Sequence, residues 1–241
     1  MNPLHLLASG DLPLNVVIPA VLGNILWITL YIVLIINGRK NRFVELPIFI
    51  ITGDLVWEAL YGFVFPLDPV LNPIIQWGIR IWCLIDCVVF ALALKYANNE
   101  ITTPLIVKYI TPICLALFVF WGVFVYAIAD AGIGGTVIID NADLVREAVS
   151  AYLLNIVISV IYLYQYLRLY NQRVFLPSVA WLKMLGTGLT TVAVYFNQPF
   201  NGFLMILGVL VFVADVTYLV LLRILPNTPN GGLSSSSQAT P

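Results

Sequence analysis

Four carboxyl side chains interrupt the long apolar runs of this sequence, where an ionisable residue is costly and usually has a function. Asp54 and Glu58 stand in the second run, Asp86 in the third and Asp215 in the last. Asp54 and Glu58 are four residues apart, so they share one face of a helix. Two carboxyls this close in a low dielectric cannot easily both ionise, so at least one holds a proton near neutral pH. A protonated carboxyl in a dry pocket is a general acid.

Aromatic and amide side chains continue the helix faces that carry these acids. Trp82 precedes Asp86 by one helical turn, and Tyr218 follows Asp215 by three residues. The fifth run has its own polar and aromatic stripe, which consists of Tyr152, Asn155, Ser159, Tyr162 and Tyr166. If these faces meet, they form a buried pocket with acids on its walls and aromatic rings around it.

Some of these residues could have purely structural roles. Asp86 could pair with Arg80, because charges inside membrane spans usually pair. The stripe in the fifth run could serve hydrogen bonds between helices, and Trp or Tyr near the end of a span is often an interface anchor. No comparable structural role accounts for Asp54 beside Glu58, so this pair is the strongest indication of proton chemistry.

The composition requires lipid as the solvent of this chain. Of the 241 residues, 61% are hydrophobic and 10% are charged, and the mean hydropathy is +0.98, whereas about a quarter of a soluble domain is charged. The net charge of -1 provides no basic surface for nucleic acid. Cys83 and Cys87 are one helical turn apart, but no His accompanies them, so we expect packing roles and no metal site.

Apolar runs of about 20 residues are long enough to cross a bilayer as helices. The sequence has seven such runs, at 14–36, 44–65, 74–96, 105–129, 144–167, 176–196 and 203–224. We therefore predict an all-α polytopic membrane protein, with one domain (1–225) that is a seven-transmembrane-helix bundle. The tail 226–241, rich in Pro, Gly, Asn and Ser, is predicted to be disordered.

The distribution of basic residues predicts the orientation, because Lys and Arg favour the cytosolic side. On one side we place nine of the 11 basic residues: Arg39, Lys40, Arg42, Lys95, Lys108, Arg168, Arg173, Lys183 and Arg223. Only Arg80 and Arg146 fall toward the other side. The N-terminus is therefore expected in the lumen and the C-terminus in the cytosol, with the endoplasmic reticulum as the membrane.

The segment 54–61, DLVWEALY, followed by FP at 65–66, resembles the N-x-x-W-E-x-x-Y…P segment of fungal membrane-bound terpene cyclases. Those enzymes act in meroterpenoid and indole-diterpene pathways of the pyripyropene and paxilline types. The likeness extends over most of the chain, in its length, its seven spans and a buried Asp followed by Tyr in the last span. One departure is that the family generally has Asn where this chain has Asp54.

The resemblance implies a cyclase of a prenylated aromatic, polyketide or indole substrate that usually bears a terminal epoxide. The enzyme would protonate the epoxide or an olefin and guide a polyene cyclisation, and the implicated acids correspond to Glu58 and Asp215. We add Asp54 and Asp86 as supporting acids. The residues expected to contact the substrate or stabilise a cation are Trp57, Tyr61, Trp82, Tyr152, Asn155, Tyr162 and Tyr218.

The sequence contains neither a DDxxD nor a DxDD stretch, so we expect initiation by a proton without a metal or other cofactor. The expected partners are a hydrophobic prenylated small molecule and membrane lipid, with no nucleic acid and no obligate protein partner. The alternative function is a proton-coupled carrier of a small hydrophobic molecule, since buried acids also form proton relays. Carriers usually show repeat symmetry and broken helices, and this sequence shows neither.

Overall fold

The computed structural model describes residues 13–65, 73–101, 103–130, 142–169, 175–197 and 201–225. Within these ranges all regular secondary structure is helical, which confirms the all-α class. The tail 226–241 and Arg173 lie outside the described residues. The helices are α1 (Leu14–Asn41), α2 (Ile48–Ala59) continued by a π-helical turn (Leu60–Val64), α3 (Pro73–Glu100), α4 (Pro104–Lys108), α5 (Ile110–Asp130), α6 (Ala142–Leu169), α7 (Pro177–Asn197) and α8 (Gly202–Ile224).

Six of the described helices, α1, α3, α5, α6, α7 and α8, are long and apolar enough to cross a membrane. This chain is therefore an integral, multi-pass membrane protein. The second predicted span, 44–65, is shorter than expected, because its helix begins only at Ile48 and has 12 α-helical and five π-helical residues. That length falls below the roughly 20 residues of a full span, and the predicted count of seven spans is not confirmed.

Two of the predicted spans, 44–65 and 105–129, have different boundaries in the structure. Arg42 has a left-handed backbone with φ 53°, which ends α1, and Pro47 is the N-cap of α2. Residues 42–47 consequently form a loop, although the apolar run starts at 44. The predicted span 105–129 is also divided, because the chain leaves α-helical geometry at Tyr109 between α4 and α5.

The long helices and α2 form a closed ring. Each element packs against the next in the order α7, α1, α3, α2, α5, α6, α8 and back to α7. Large apolar side chains point outward, as Ile18, Leu22 and Ile25 do on α1, where lipid can solvate them. The buried charged side chains of the spans, which are Asp54, Glu58, Asp86, Glu147, Lys183 and Asp215, are shielded by the helices instead, since the hydrocarbon offers them no partners.

Two glycines allow a close helix crossing between α1 and α7. A Cβ atom added at Gly23 would lie 2.9 Å from the carbonyl oxygen of Gly186 and 2.8 Å from the Thr190 hydroxyl oxygen. A Cβ atom at Gly186 would lie 2.9 Å from the ring of Trp27. The backbones of α1 and α7 can approach this closely only because both positions lack a side chain.

A buried carboxyl fixes the loop between α1 and α2. Glu45 is 1% exposed, and its Oε1 accepts hydrogen bonds from Asn37 Nδ2 at 2.9 Å and from the Leu176 backbone N–H at 3.1 Å. Burial raises the pKa of Glu45 to about 8. Glu45 thereby ties the end of α1 to the start of α7, and it is mainly protonated at neutral pH.

Candidate functional site

A cavity of about 180 Å³ lies inside the ring and is lined by residues of α1, α2, α3, α6, α7 and α8. A cavity of roughly 150 Å³ in a soluble protein can hold benzene, so this one has room for at least one ring of an organic ligand. Three carboxyl side chains line it, those of Asp54, Glu58 and Glu147. Its aromatic lining consists of Trp27, Tyr31, Trp57, Trp82 and Tyr152.

The acids of α2 face the cavity together with a third acid behind them. Asp54, Glu58 and Asp86 are 6%, 2% and 0% exposed, and they lie close enough for their charges to interact. Asp86, on α3, does not line the cavity, and the Tyr31 hydroxyl on α1 faces it. The structure thus brings together the three acids that the sequence singled out in the second and third runs.

Asp86 and Arg80 do not form the ion pair that the sequence allowed. Arg80 Nε donates to the carbonyl oxygen of Gly62 at 2.8 Å, and its guanidinium lies over the rings of Trp77 and Phe63. Arg80 therefore joins α3 to the π-helical turn that follows α2.

Trp57 is held against the cavity by a hydrogen bond to α6. Its Nε1 donates to Ser150 Oγ at 2.9 Å, and Ser150 Oγ lies 3.1 Å from the Tyr61 hydroxyl oxygen. The Trp57 and Tyr61 rings are 5.0 Å apart. Trp57 lines the cavity and Tyr61 lies behind it, so the two predicted aromatic residues have different positions.

Asp215 lies in an ion pair and not on the cavity wall. Its Oδ1 is 2.6 Å from Lys183 Nζ and accepts a hydrogen bond from Ser159 Oγ at 2.8 Å. Lys183 was wrongly assigned to the cytosolic side, because it lies inside α7 with 2% exposure. The basic residues that support the predicted orientation are therefore eight rather than nine.

Some side chains of the polar and aromatic stripe on α6 line the cavity, and others form contacts between helices. Tyr152 and Asn155 line the cavity, and the Tyr152 hydroxyl donates to Thr191 on α7 at 2.8 Å. Tyr162 does not line it and instead packs on Tyr218 with 5.5 Å between ring centroids. Trp82, from α3, lines the cavity as the sequence suggested.

Several cavity residues were missed from the sequence. Glu147 falls in the first turn of its apolar run, where a carboxyl suggests an interfacial position, yet it is 8% exposed and lines the cavity. Trp27 and Tyr31 lie on one face of α1 at a spacing of four residues. That spacing was a visible signal, although the first run contains no acid that would have drawn attention to it.

The polar lining has unused hydrogen-bonding capacity. Among the described residues, Asp54 Oδ2, Glu58 Oε2, Glu147 Oε2, Asn155 Oδ1 and Trp82 Nε1 are buried atoms without a hydrogen-bond partner. Buried polar atoms without partners are rare in folded proteins and often have a role in ligand binding or catalysis. Here they surround an otherwise aromatic and aliphatic cavity, which suits a largely apolar ligand with a few oxygen atoms.

Comparison with known proteins shows the family of this chain. The terpene cyclase adrI of Penicillium rubens is 29% identical over 82 residues, which cover 33% of this chain and 31% of the relative. The aligned part thus spans about a third of that relative's length. No solved structure matches the chain. The family of Pyr4-like transmembrane terpene cyclases matches residues 15–226. Because that match covers most of the sequence and includes the helices that form the cavity, this chain belongs to the Pyr4-like transmembrane terpene cyclases.

Proposed function

We propose that this protein is a terpene cyclase that protonates the terminal epoxide, or an olefin, of a prenylated aromatic, polyketide or indole substrate in meroterpenoid biosynthesis. The observation that carries the proposal is Glu58, a carboxyl without an ion-pair partner among the described residues, on the wall of an aromatic cavity. Membership of a terpene cyclase family supports it.

In the proposed reaction the Glu58 hydroxyl gives its proton to the epoxide oxygen. The C–O bond to the more substituted carbon breaks, and the epoxide oxygen becomes a hydroxyl group. The electron-deficient carbon is attacked by the next double bond, and each attack forms one C–C bond and moves the cation along the chain. The last cation loses a proton to a carboxylate of the cavity, either Glu58 or Glu147. The product is then an isomer of the substrate, and no redox partner takes part.

The aromatic residues of the cavity fit the cationic stage of this reaction. A cation over the face of a Trp or Tyr ring is stabilised by roughly 0.5–2 kcal/mol. Five aromatic residues from four helices line the same cavity. The faces of these rings can stabilise the charge at successive positions along the folded substrate.

The proposal is tested by incubating membranes that contain this protein with a panel of epoxyprenyl aromatic, polyketide and indole compounds. We expect a cyclised product with the mass of its substrate, formed equally well with and without a metal chelator. A substrate that is moved between membrane compartments but returned unchanged would instead indicate a carrier. Loss of product in the presence of chelator would contradict initiation by a proton alone.

Asp54→Asn tests how the second acid of α2 acts. Asp54 lies one turn from Glu58 and in the field of Lys183, so it influences the protonation of Glu58. The substitution introduces the Asn that is general in the family. We expect activity to be retained with a shifted pH optimum, measured as product formation over a pH series. Complete loss of activity at every pH would make Asp54 itself the proton donor.

The proposed orientation has a lumenal N-terminus and a cytosolic C-terminus in the endoplasmic reticulum. The eight basic residues remaining on one side after the removal of Lys183 from that group support it. A tag placed after Pro241 should be digested by protease added to intact microsomes. A tag that becomes sensitive only after detergent treatment would reverse the orientation.

A further inference from the structure

The cavity is long and narrow, and it follows the axes of the helices around it. Its lining residues lie between positions 16 and 31 on α1, between 147 and 158 on α6 and between 187 and 197 on α7. At a rise of about 1.5 Å per residue, these stretches span roughly 15–22 Å. A volume of about 180 Å³ over such a length suits an extended chain.

One end of the cavity is closed by buried contacts between α6 and α8. Ile158 is the innermost lining residue of α6, and the next residue, Ser159, donates a hydrogen bond to Asp215 Oδ1 at 2.8 Å. One turn farther along α6, the ring of Tyr162 packs on that of Tyr218, and both are 2% exposed. A ligand in the cavity therefore cannot extend farther in this direction.

The opposite, outer end of the cavity lies where α1, α6 and α8 begin and α7 ends. Its lining includes the short or aliphatic side chains of Val16, Ala20, Ala148 and Leu204. Because these side chains are short, they leave room for a ring system of the ligand. The carboxyl group that lines the cavity at this end, among the residues the structure describes, is that of Glu147.

Helices α2 and α6 run antiparallel past each other, and two contacts fix their register. Trp57 Nε1 on α2 donates to Ser150 Oγ on α6 at 2.9 Å. A Cβ atom added at Gly53 would lie 3.0 Å from a side-chain carbon of Leu154. A step of four residues along α2 thus corresponds to a step of four residues back along α6, so each residue of one helix can be assigned a level on the other.

Glu147 lies nearer the outer end than the two acids of α2. By this register it is about one helical turn, or roughly 5 Å, beyond the level of Glu58, and about two turns beyond that of Asp54. It is 8% exposed, and its Oε2 is a buried atom without a hydrogen-bond partner among the described residues. Such an atom on a cavity wall points to a polar group of the ligand.

We infer that Glu147 binds a hydroxyl group on the aromatic, polyketide or indole core of the substrate, so that the prenyl chain points inward to Glu58 and Asp54. This inference rests on the proposed function. A carboxyl oxygen accepts a hydrogen bond from a hydroxyl group in either protonation state. The terminal epoxide, at the far end of the prenyl chain, then lies at the level of the α2 acids. Glu147 is thus a residue that determines substrate specificity.

A matched set of substrates tests this contact. All members carry the same epoxyprenyl chain on one aromatic ring. The parent compound has no ring hydroxyl, and each of the others has one hydroxyl at a different ring position. We expect the wild type to prefer one hydroxyl compound to the parent by roughly tenfold in kcat/KM, the worth of about one hydrogen bond. Cyclisation is measured in membranes, per amount of folded protein.

Two substitutions of Glu147 separate hydrogen bonding from acid–base chemistry. Glu147→Met has no acceptor oxygen, so the preference should fall to within about twofold, through a higher KM for the hydroxyl compound. Turnover of the parent compound should not change. Glu147→Gln has an amide oxygen that accepts the same bond, and it should keep a preference of about threefold or more.

Ala148→Leu tests the orientation of the substrate without a change at Glu147. Ala148 lines the outer end, so a larger side chain there narrows the space of the core. We expect kcat/KM to fall by about tenfold or more for a two-ring core and by less than about threefold for the one-ring compounds. Tyr164→Phe is the control, since Tyr164 is on α6 but is 62% exposed on the lipid-facing surface, and it should leave both values unchanged.

The inference fails if the wild type cyclises the parent compound as well as every hydroxyl compound, or if Glu147→Met keeps the preference of the wild type. Equal losses in Glu147→Gln and Glu147→Met with all compounds would make Glu147 a proton acceptor of the reaction instead. If Glu147→Met does not accumulate, Ala148→Leu decides, because equal losses with both core sizes would place the core elsewhere. A wild type that cyclises none of the compounds would refute the proposed function itself.

Discussion

Glu58→Gln is expected to lower the rate of cyclisation by roughly 10²–10⁴-fold, the range found when a general acid is removed. Glutamine has the size and carbonyl acceptor of the protonated acid but cannot donate an acidic proton. Glu58 is 2% exposed and lines the cavity, so no solvent acid can replace it from outside the site. The measurement is product formation in membranes, normalised to the amount of protein.

Glu45→Gln is the matched control for this substitution. Glu45 is equally buried, but it lies in the loop between α1 and α2 and not on the cavity wall. Because its pKa is about 8, it already resembles glutamine at neutral pH, and an amide oxygen can accept the same bonds from Asn37 and Leu176. The control should keep its activity. A Glu58→Gln variant as active as this control would remove Glu58 from the mechanism.

Gly23→Ala is expected to destabilise the protein by about 1–3 kcal/mol, the usual cost of overpacking a close contact. The added Cβ would lie 2.9 Å from the Gly186 carbonyl oxygen, a backbone atom that no side-chain rotation can move. Helices α1 and α7 would have to separate, and both carry residues of the cavity wall. We expect a lower midpoint of thermal unfolding in detergent together with reduced activity.

Gly122→Ala provides the comparison for Gly23→Ala. Gly122 lies within α5, and a Cβ added there meets no atom within 4 Å. Since alanine is a better helix former than glycine by roughly 1 kcal/mol, this variant should be as stable as the wild type or more so. Equal unfolding midpoints for the two variants would show that the α1–α7 crossing is looser than the structure has it.

The sequence correctly predicted that the acids of α2 lie together on one face of the helix. Asp54 and Glu58 could be placed on one face because the helical period fixes the direction of residues four apart. Trp57 could be added from the family segment, and the structure places all three on the cavity wall. Their roles in catalysis stay predictions.

The ion pair between Lys183 and Asp215 could not be predicted from the separate apolar runs of the sequence. Lys183 lies seven residues into its apolar run. It was predicted to belong with the basic loop residues, because no neighbouring residue in the sequence indicates a buried partner. The partner is 32 residues away on another helix, and such a pairing depends on how the helices are rotated in the ring. The same rotation takes Tyr162 and Tyr218 off the cavity wall, although Tyr218 follows the buried Asp215 by three residues.

Helix α2 has a consequence for how the protein enters the membrane. Nine of its 12 residues are buried by the other helices, and two of these are Asp54 and Glu58. A carboxyl at the centre of a span costs about 2.5–3.5 kcal/mol on the insertion scale, and the short helix offers little lipid-facing surface in return. Its stable insertion must therefore wait for α3 and α5, which follow it in synthesis and pack against it. A nascent chain that ends after α2 would lose this segment from the bilayer, so the element that carries the proposed acid becomes secure only after helices that are synthesised later.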